Sequence, residues 1–375
     1  MIRAKIISSL EKVRLTDKIA DLEAVTQLKA ARGERVSFQV AVEDPLEKGV
    51  KRAMGLTISM RSRLSKYIRG FSVGQVPMAM PVYVERYSGE YITTEPGLMP
   101  DVLYPLKKQK YYTQLYSPVS FLFTAELPRD LEPGKYPVCI TLKGVNDGVA
   151  VKVRLVIEVV EAVLPENDLR YTQWFHCDSI ASYFGVKMQS QKHWKLIEKF
   201  IATAAHTGIT MLLTPIFTPP LDTAIGTYRA TMQLVDMEKK GDTYTFGFAK
   251  LERWVALCKK YGIDIVSLDC DGVVGQLLPT WVNNGVNTMF PIEVGVWGDQ
   301  FEPARQKFGK ELLGVGGMNK LALREDKAAV DKEVERMKRL ASMGGFIPCP
   351  DHRLMPGTKF ELVQYYAEQI KKITL

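Results

Sequence analysis

Asp269, Asp271, Glu293 and His352 have residue types and spacing suited to chemistry. Each falls at or just past the end of a short apolar run. The runs are Ile263-Asp-Ile-Val-Ser-Leu-Asp-Cys-Asp271, Met289-Phe-Pro-Ile-Glu293 and Phe346-Ile-Pro-Cys-Pro-Asp-His352. An imidazole titrates near neutral pH and can pass a proton, and a neighbouring carboxylate can hold its tautomer. His352 is therefore the candidate acid/base, with Asp271 and Glu293 as catalytic carboxylates beside it. The plainer alternative is a hydrogen-bonded polar patch in which Asp351 or Asp271 orients a structural His352. Cys270 and Cys349 flank these positions, where small thiols are more often buried hydrophobes than ligands or nucleophiles.

Such groups need strands that end on one side of a sheet. After about residue 168 the pattern alternates between strand and helix, which predicts a parallel sheet with right-handed crossovers. Trp194, Ile197, Ile201, Ala204 and Ala205 form a helical stripe stopped by Gly208, and Leu251, Trp254, Val255 and Cys258 form one stopped by Gly262. Further stripes run through Val274 to Trp281, Val330 to Ala341 and Val363 to Ile370. About six strands are visible, near 171–177, 211–217, 263–268, 289–293, 312–316 and 346–349. A closed barrel of this kind needs eight. Either two strands hide in 218–248 or the barrel is incomplete; Thr243-Tyr-Thr-Phe-Gly-Phe248 has β character but is short enough to be a hairpin arm. Before residue 165 the chain reads as β, with Arg35–Val42, Tyr116–Thr124, Pro133–Leu142 and Val149–Val160 punctuated by Pro and Gly. The expected fold is a TIM-like α/β barrel over 168–375, preceded by an antiparallel β-sandwich over 1–165.

Composition narrows the partners. The chain has 375 residues, is 46% hydrophobic and 25% charged, and carries a net charge of +8. Its Lys and Arg residues are scattered among Glu and Asp, so no nucleic-acid partner is expected. No apolar stretch reaches membrane-spanning length, and the N-terminus lacks a signal-peptide core, so no membrane partner is expected either. The five cysteines are widely spaced, without a CxxC pair. That suits reduced thiols in a cytoplasm. An incomplete barrel leaves an open edge, which a second copy could cover as a homodimer.

Two families resemble parts of this chain. Arg32-Gly-Glu-Arg-Val-Ser-Phe-Gln39, Glu95-Pro-Gly-Leu-Met-Pro-Asp101, Tyr171-Thr-Gln-Trp-Phe-His-Cys-Asp178, Met211-Leu-Leu-Thr-Pro-Ile-Phe-Thr-Pro-Pro-Leu-Asp222 and Phe248-Ala-Lys-Leu-Glu-Arg-Trp254 resemble glycoside hydrolase family 123. That resemblance spans about residues 30–265 and implies a β-sandwich leading into a catalytic barrel. It implies a retaining β-N-acetylhexosaminidase whose nucleophile is the substrate's own acetamido group, supported by an adjacent Asp-Glu pair. No Asp-Glu dipeptide occurs beyond residue 265. On this resemblance Trp174, His176, Asp178 and Asp222 would bind the sugar.

From about residue 262 the chain resembles the uroporphyrinogen decarboxylase family. Leu268-Asp-Cys-Asp-Gly272, Trp281–Glu293, Gly314-Val-Gly-Gly-Met-Asn-Lys320 and Gly344–His352 carry that likeness. It implies decarboxylation of a porphyrinogen without a cofactor, or methyl transfer linked to a corrinoid. In the methyltransferase relatives a zinc site uses paired residues two apart and one after the last strand. Asp269, Asp271 and His352 fall at those places, and two carboxylates with one imidazole suit zinc, manganese or iron. The two likenesses meet near Tyr261-Gly-Ile-Asp264. Because the mouth residues all lie in the back part, the leading expectation is a decarboxylase-like or methyltransferase-like barrel with a glycosidase-like front. The alternatives are a β-N-acetylhexosaminidase and a non-catalytic carbohydrate-binding or orphan fusion protein. The substrate is a small molecule in each enzymatic case: porphyrinogen, corrinoid-linked compound or carbohydrate.

Overall fold

The computed structural model describes residues 2–44, 55–79, 91–113, 117–145, 148–166, 169, 171–173, 175–216, 226–263, 265–267, 269–283 and 285–373. The chain divides into two compact units, Met1–Glu166 and Asn167–Leu375.

The first unit contains β1 (Arg3–Ser8), β2 (Gln27–Arg32), β3 (Arg35–Glu43), β4 (Gly55–Arg61), β5 (Ile68–Met78), β6 (Gly97–Pro105), β7 (Tyr111–Tyr112), β8 (Val119–Glu126), β9 (Gly134–Gly144) and β10 (Ala150–Val163). They form two five-stranded sheets, ordered β1-β3-β8-β5-β6 and β2-β10-β9-β4-β7. The strands read as they fold. In β9, Tyr136, Val138, Ile140 and Leu142 alternate inward, and in β10 Leu155, Ile157 and Val159 do the same. The inward residues of both sheets, such as Phe38, Val40, Phe121 and Phe123 against Val138, Ile140 and Ile157, make one core. This is a sandwich. Each fully buried aliphatic or aromatic side chain stabilises it by about 1.5–3 kcal/mol. The expectation of a purely antiparallel sandwich needs one correction: β2 pairs with β10 in parallel. Strand β3 is buried on both faces, because the segment before β2 covers its outer side. Gln39 pins that cover, donating from Nε2 to the carbonyls of Ser8, Ser9 and Glu11 at 3.1, 3.3 and 2.8 Å.

The second unit is α/β. Its strands are β11 (Thr172–Gln173), β12 (Met211–Leu213), β13 (Asp236–Lys240), β14 (Thr243–Gly247), β15 (Ile265–Ser267), β16 (Thr288–Ile292), β17 (Leu313–Met318) and β18 (Phe346–Pro350). Its helices are α1 (Cys177–Phe184), α2 (Gln191–His206), α3 (Ala249–Lys260), α4 (Leu278–Asn283), α5 (Phe301–Phe308), α6 (Lys327–Ser342) and α7 (Phe360–Ile370). Two three-stranded parallel sheets form, β11-β12-β15 and β16-β17-β18. The six expected parallel strands are these, and the described residues do not complete an eight-stranded barrel. The β character near residue 243 belongs to a hairpin, β13 against β14, rather than to a barrel strand.

Helix starts follow local chemistry. Ser190 caps α2 by accepting from the His193 N–H, and Asp326 caps α6 by accepting from the Ala329 N–H. The stripe Val330, Val334, Met337, Leu340 and Ala341 is buried beneath α6. Two helices lack a stripe long enough to see in sequence: α1, and α5, which carries Pro303 in its first turn. Glycines in β17 do not make a turn. A Cβ on Gly314 would lie 2.6 Å from the Phe301 ring, and one on Gly316, at φ +114°, would lie 2.8 Å from the Ile292 nitrogen. They let α5 and β16 close onto the strand.

Candidate active site

The C-terminal ends of the back strands carry the polar groups. Asp269, Cys270 and Asp271 follow β15, Glu293 follows β16, Asn319 and Lys320 follow β17, and Asp351 and His352 follow β18. The Cys270 N–H donates to the Phe290 carbonyl at 2.9 Å and joins the β15 loop to β16. The Gly272 N–H donates to Glu293 Oε2 at 2.8 Å, which brings the loop over a buried carboxylate. His352 Nε2 lies 3.5 Å from Asp271 Oδ1.

Asp351 ties this mouth together. It is fully buried and pairs with the buried Lys320 ammonium at 3.2 Å. The Gly295 N–H donates to its Oδ2 at 2.7 Å, the Lys320 N–H reaches Oδ1 at 3.2 Å, and its own N–H donates to the Met318 carbonyl at 2.8 Å. One side chain thus fixes the loops after β16, β17 and β18. Of the two residues proposed to orient His352, Asp271 is the one beside it, while Asp351 faces Lys320.

Electrostatics separate the carboxylates. Burial and the neighbouring charge of Asp271 push the Asp269 carboxyl up to about 6, against the opposing pull of His352 and Arg353. Asp299 is also raised, chiefly by burial, and its Oδ2 has no hydrogen-bond partner among the described residues. Burial raises both flanking thiols, Cys349 to about 11, so neither is poised as a thiolate. All five cysteines are unpaired.

The front strand ends differ. His176 sits at the N-terminal cap of α1. Asp178, in that helix's first turn, is buried and held by Arg229, whose Nε and Nη2 donate to Oδ2 at 2.9 and 2.6 Å. Trp174 and Asp222 lie outside the described residues. Among the expected site residues the structure therefore gathers Asp271, Glu293 and His352, with Asp269 in electrostatic reach, and leaves His176 and Asp178 after β11, at the opposite edge of the sheet to which β15 belongs. His193, on α2, is fully buried: its Nδ1 accepts from the Gln189 N–H at 3.0 Å and its Nε2 lies 2.8 Å from the Cys177 carbonyl. Sequence reasoning did not find Arg229 or Lys320. Nothing in their local sequence marks them, since each meets its carboxylate across 51 or 31 residues.

With this geometry in place, the comparisons with known proteins separate the two resemblances.

Residues 174–275 match glycoside hydrolase 123, catalytic domain.

The whole chain also superposes on a family 123 glycoside hydrolase from Clostridium perfringens, described for glycolipid glycan hydrolysis. The TM-score is 0.60 at 15% identity, with 100% of this chain and 62% of that enzyme covered. The chain thus spans 62% of that enzyme's length, and the likeness establishes the fold. A DUF4466 family protein from Parabacteroides merdae shares 8% identity over 41% of this chain and 42% of its own, at a TM-score of 0.23, too low to inform the fold. No curated protein matches the chain.

These findings overturn the decarboxylase-like expectation and its lyase or methyltransferase chemistry. The family 123 match runs through the supposed join near residue 262 and includes Leu268-Asp-Cys-Asp-Gly272, which had been credited to the other family. Short apolar strands ending in polar loops are common to all parallel α/β folds, so that pattern could not tell one family from another. Among the described residues no helix is long and apolar enough to cross a membrane.

Proposed function

We propose that the chain is a glycoside hydrolase of the family 123 kind, acting on a carbohydrate at the ends of β15 to β18. The observation that carries this reading is the match over 174–275, a segment that ends in the loop bearing Asp269 and Asp271.

Breaking a glycosidic bond requires an acid at the leaving oxygen and a nucleophile at the anomeric carbon. Asp269 is the acid in this reading. It is half-buried at a strand end, and the more exposed Asp271 lies two residues on, facing His352. It gives its proton to the glycosidic oxygen as that bond breaks. The family resemblance supplies the nucleophile from the substrate: the carbonyl oxygen of a 2-acetamido group attacks the same carbon and forms a bicyclic oxazolinium. Water then opens this ring, losing a proton to Asp269, with retention of configuration. A nucleophile carried by the sugar removes the need for a second carboxylate at bonding distance. The acetamide still asks for a carboxylate to orient it, and with no Asp-Glu dipeptide Asp271, two residues from Asp269, takes that place in this scheme. Glu293 and His352 bind sugar oxygens in this scheme.

The substrate class is a glycan ending in a β-linked N-acetylhexosamine. Incubation of the purified chain with an aryl N-acetyl-β-galactosaminide tests it, with release of the aryl alcohol expected. No release above the uncatalysed rate from folded protein, or equal release by Asp269→Asn, would overturn the reading.

A further inference from the structure

The mouth has an apolar rim, and its largest member is a tryptophan. Five tryptophans occur in the chain, of which four are described. Trp194 and Trp254 are buried and Trp281 is half-buried, whereas Trp297 is 57% exposed. It lies in the loop between β16 and α5, four residues past Glu293. A single exposed aliphatic group is ordinary on a protein surface, but an exposed indole fixed beside a polar cleft is not.

The loop holds Trp297 in place. The Gly298 N–H donates to the Val294 carbonyl and the Asp299 N–H to the Glu293 carbonyl, both at 3.0 Å, so the loop closes on itself. The Gly295 N–H donates to the buried Asp351 at 2.7 Å, which anchors the loop to the end of β18. Glycine permits both turns: a Cβ at position 295 would collide with Asn319 Oδ1, and Gly298 has a φ of +71°. The base of this turn is the Glu293 strand end, and Trp297 stands near its tip.

Neighbouring loops extend the rim. Val273 is exposed and adjoins Gly272, whose N–H binds Glu293 Oε2. Val296 is exposed beside Trp297, and Leu354 and Met355 are exposed just after His352. The loops after β15, β16 and β18 each carry a polar site residue and, within four residues of it, an exposed apolar one. A pyranose ring has the matching pattern, with hydroxyls around its edge and C–H groups on its faces. Its C–H face packs on an aromatic ring while its hydroxyls reach carboxylates and imidazole.

We propose that Trp297 is a stacking platform for a sugar ring of the substrate, on the leaving-group side of the bond that is broken. The side follows from depth, and for the position of that bond it rests on the glycosidase reading. Asp269, half-buried, meets the glycosidic oxygen. The terminal N-acetylhexosamine then occupies the polar floor, and the next sugar lies outward against the rim.

The test uses the full chain and a sulfur-linked analogue of N-acetyl-β-galactosaminyl-galactose, which resists hydrolysis. Tryptophan emission is expected to shift to shorter wavelength and saturate as this probe is added, because an exposed indole exchanges water for sugar. Trp297→Phe is expected to abolish that shift. By calorimetry Trp297→Ala should bind the probe at least about tenfold more weakly, and Trp297→Phe, which keeps a ring, should lose less. N-acetylgalactosamine alone, which lacks the leaving-group sugar, should bind equally to wild type and Trp297→Ala. The thermal midpoint should not move in either variant, since the side chain is exposed. Equal binding of the probe by Trp297→Ala, or weaker binding of N-acetylgalactosamine alone, would overturn the assignment. So would emission that shifts with protein concentration and not with the probe, which would place Trp297 at a contact between copies. Hydrolysis of the aryl glycoside by the wild type, followed alongside, keeps the two claims apart. Turnover without probe binding sinks the platform alone, and absence of both sinks the platform and the glycosidase reading together.

Discussion

Asp178 and Asp269 both lie just beyond parallel strands of the second unit, yet their surroundings are opposite. Asp178 receives two donors from Arg229, so a buried negative charge meets a positive one at hydrogen-bond distance. Asp351 is treated the same way by Lys320. Asp269 instead lies among Asp271 and Glu293, with its proton held more tightly than in water. The difference separates two uses of one residue type. A matched pair inside a protein fixes loops and is costly to break. A group of carboxylates with too little opposing charge holds protons or cations, and such perturbed groups gather at functional sites.

This contrast can be broken by substitution, and the largest effect belongs at the unmatched end. Asp269→Asn is expected to lower hydrolysis of the aryl glycoside by about 10²- to 10⁴-fold, the usual worth of a positioned general acid. Its thermal midpoint should hold or rise, because the raised carboxyl favours the protonated form and its ionisation opposes folding as pH climbs from the ordinary carboxylate value through about 6. Retained turnover would erase the distinction drawn above.

At the matched end the expected loss is in stability. Asp351→Ala leaves the Lys320 ammonium buried without its partner and should cost about 3–5 kcal/mol in urea unfolding. The double change of Asp351→Leu with Lys320→Met should recover much of that loss, since it removes both charges. Arg229→Met should cost less, about 1.5–3 kcal/mol, because this pair is nearer to solvent. Its turnover per folded molecule should be unchanged. A fall in turnover without loss of stability would move Asp178 from the structural class into the sugar site.

The smallest expected effect lies in a helix that both classes need only as scaffold. Ser190→Ala removes the cap of α2 and should cost about 1 kcal/mol by thermal unfolding, with no change in turnover.

How far the sequence could be read depended on how local each feature was. The alternation in β9 and β10 and the stripes of α2, α3, α6 and α7 were visible because period reports which face is buried. Helix α5 escaped because it is short, charged and carries Pro303, and its anchors Phe301 and Arg305 make sense only against β17 and the loop after α6. The burial of His193 was not legible on its polar stretch, because its ring partner, the Cys177 carbonyl, is 16 residues away. The packing role of the β17 glycines was not legible, because nothing local announces Phe301 or the Ile292 backbone.

The order of strands and helices, the placement of acidic and imidazole groups at strand ends and the unpaired thiols were determined by the sequence itself, since each follows from spacing along the chain. The likeness to glycoside hydrolase 123 was also carried by the sequence, over residues 174–275, whereas the strand-end pattern, which unrelated parallel folds share, had suggested a second likeness that the comparisons do not support. Which carboxylates are matched by a positive charge and which lie beside one another was decided only when β15, β16 and β18 brought residues 269–271, 293 and 352 together. Charge balance depends on distance in space, and a sequence records distance only along the chain.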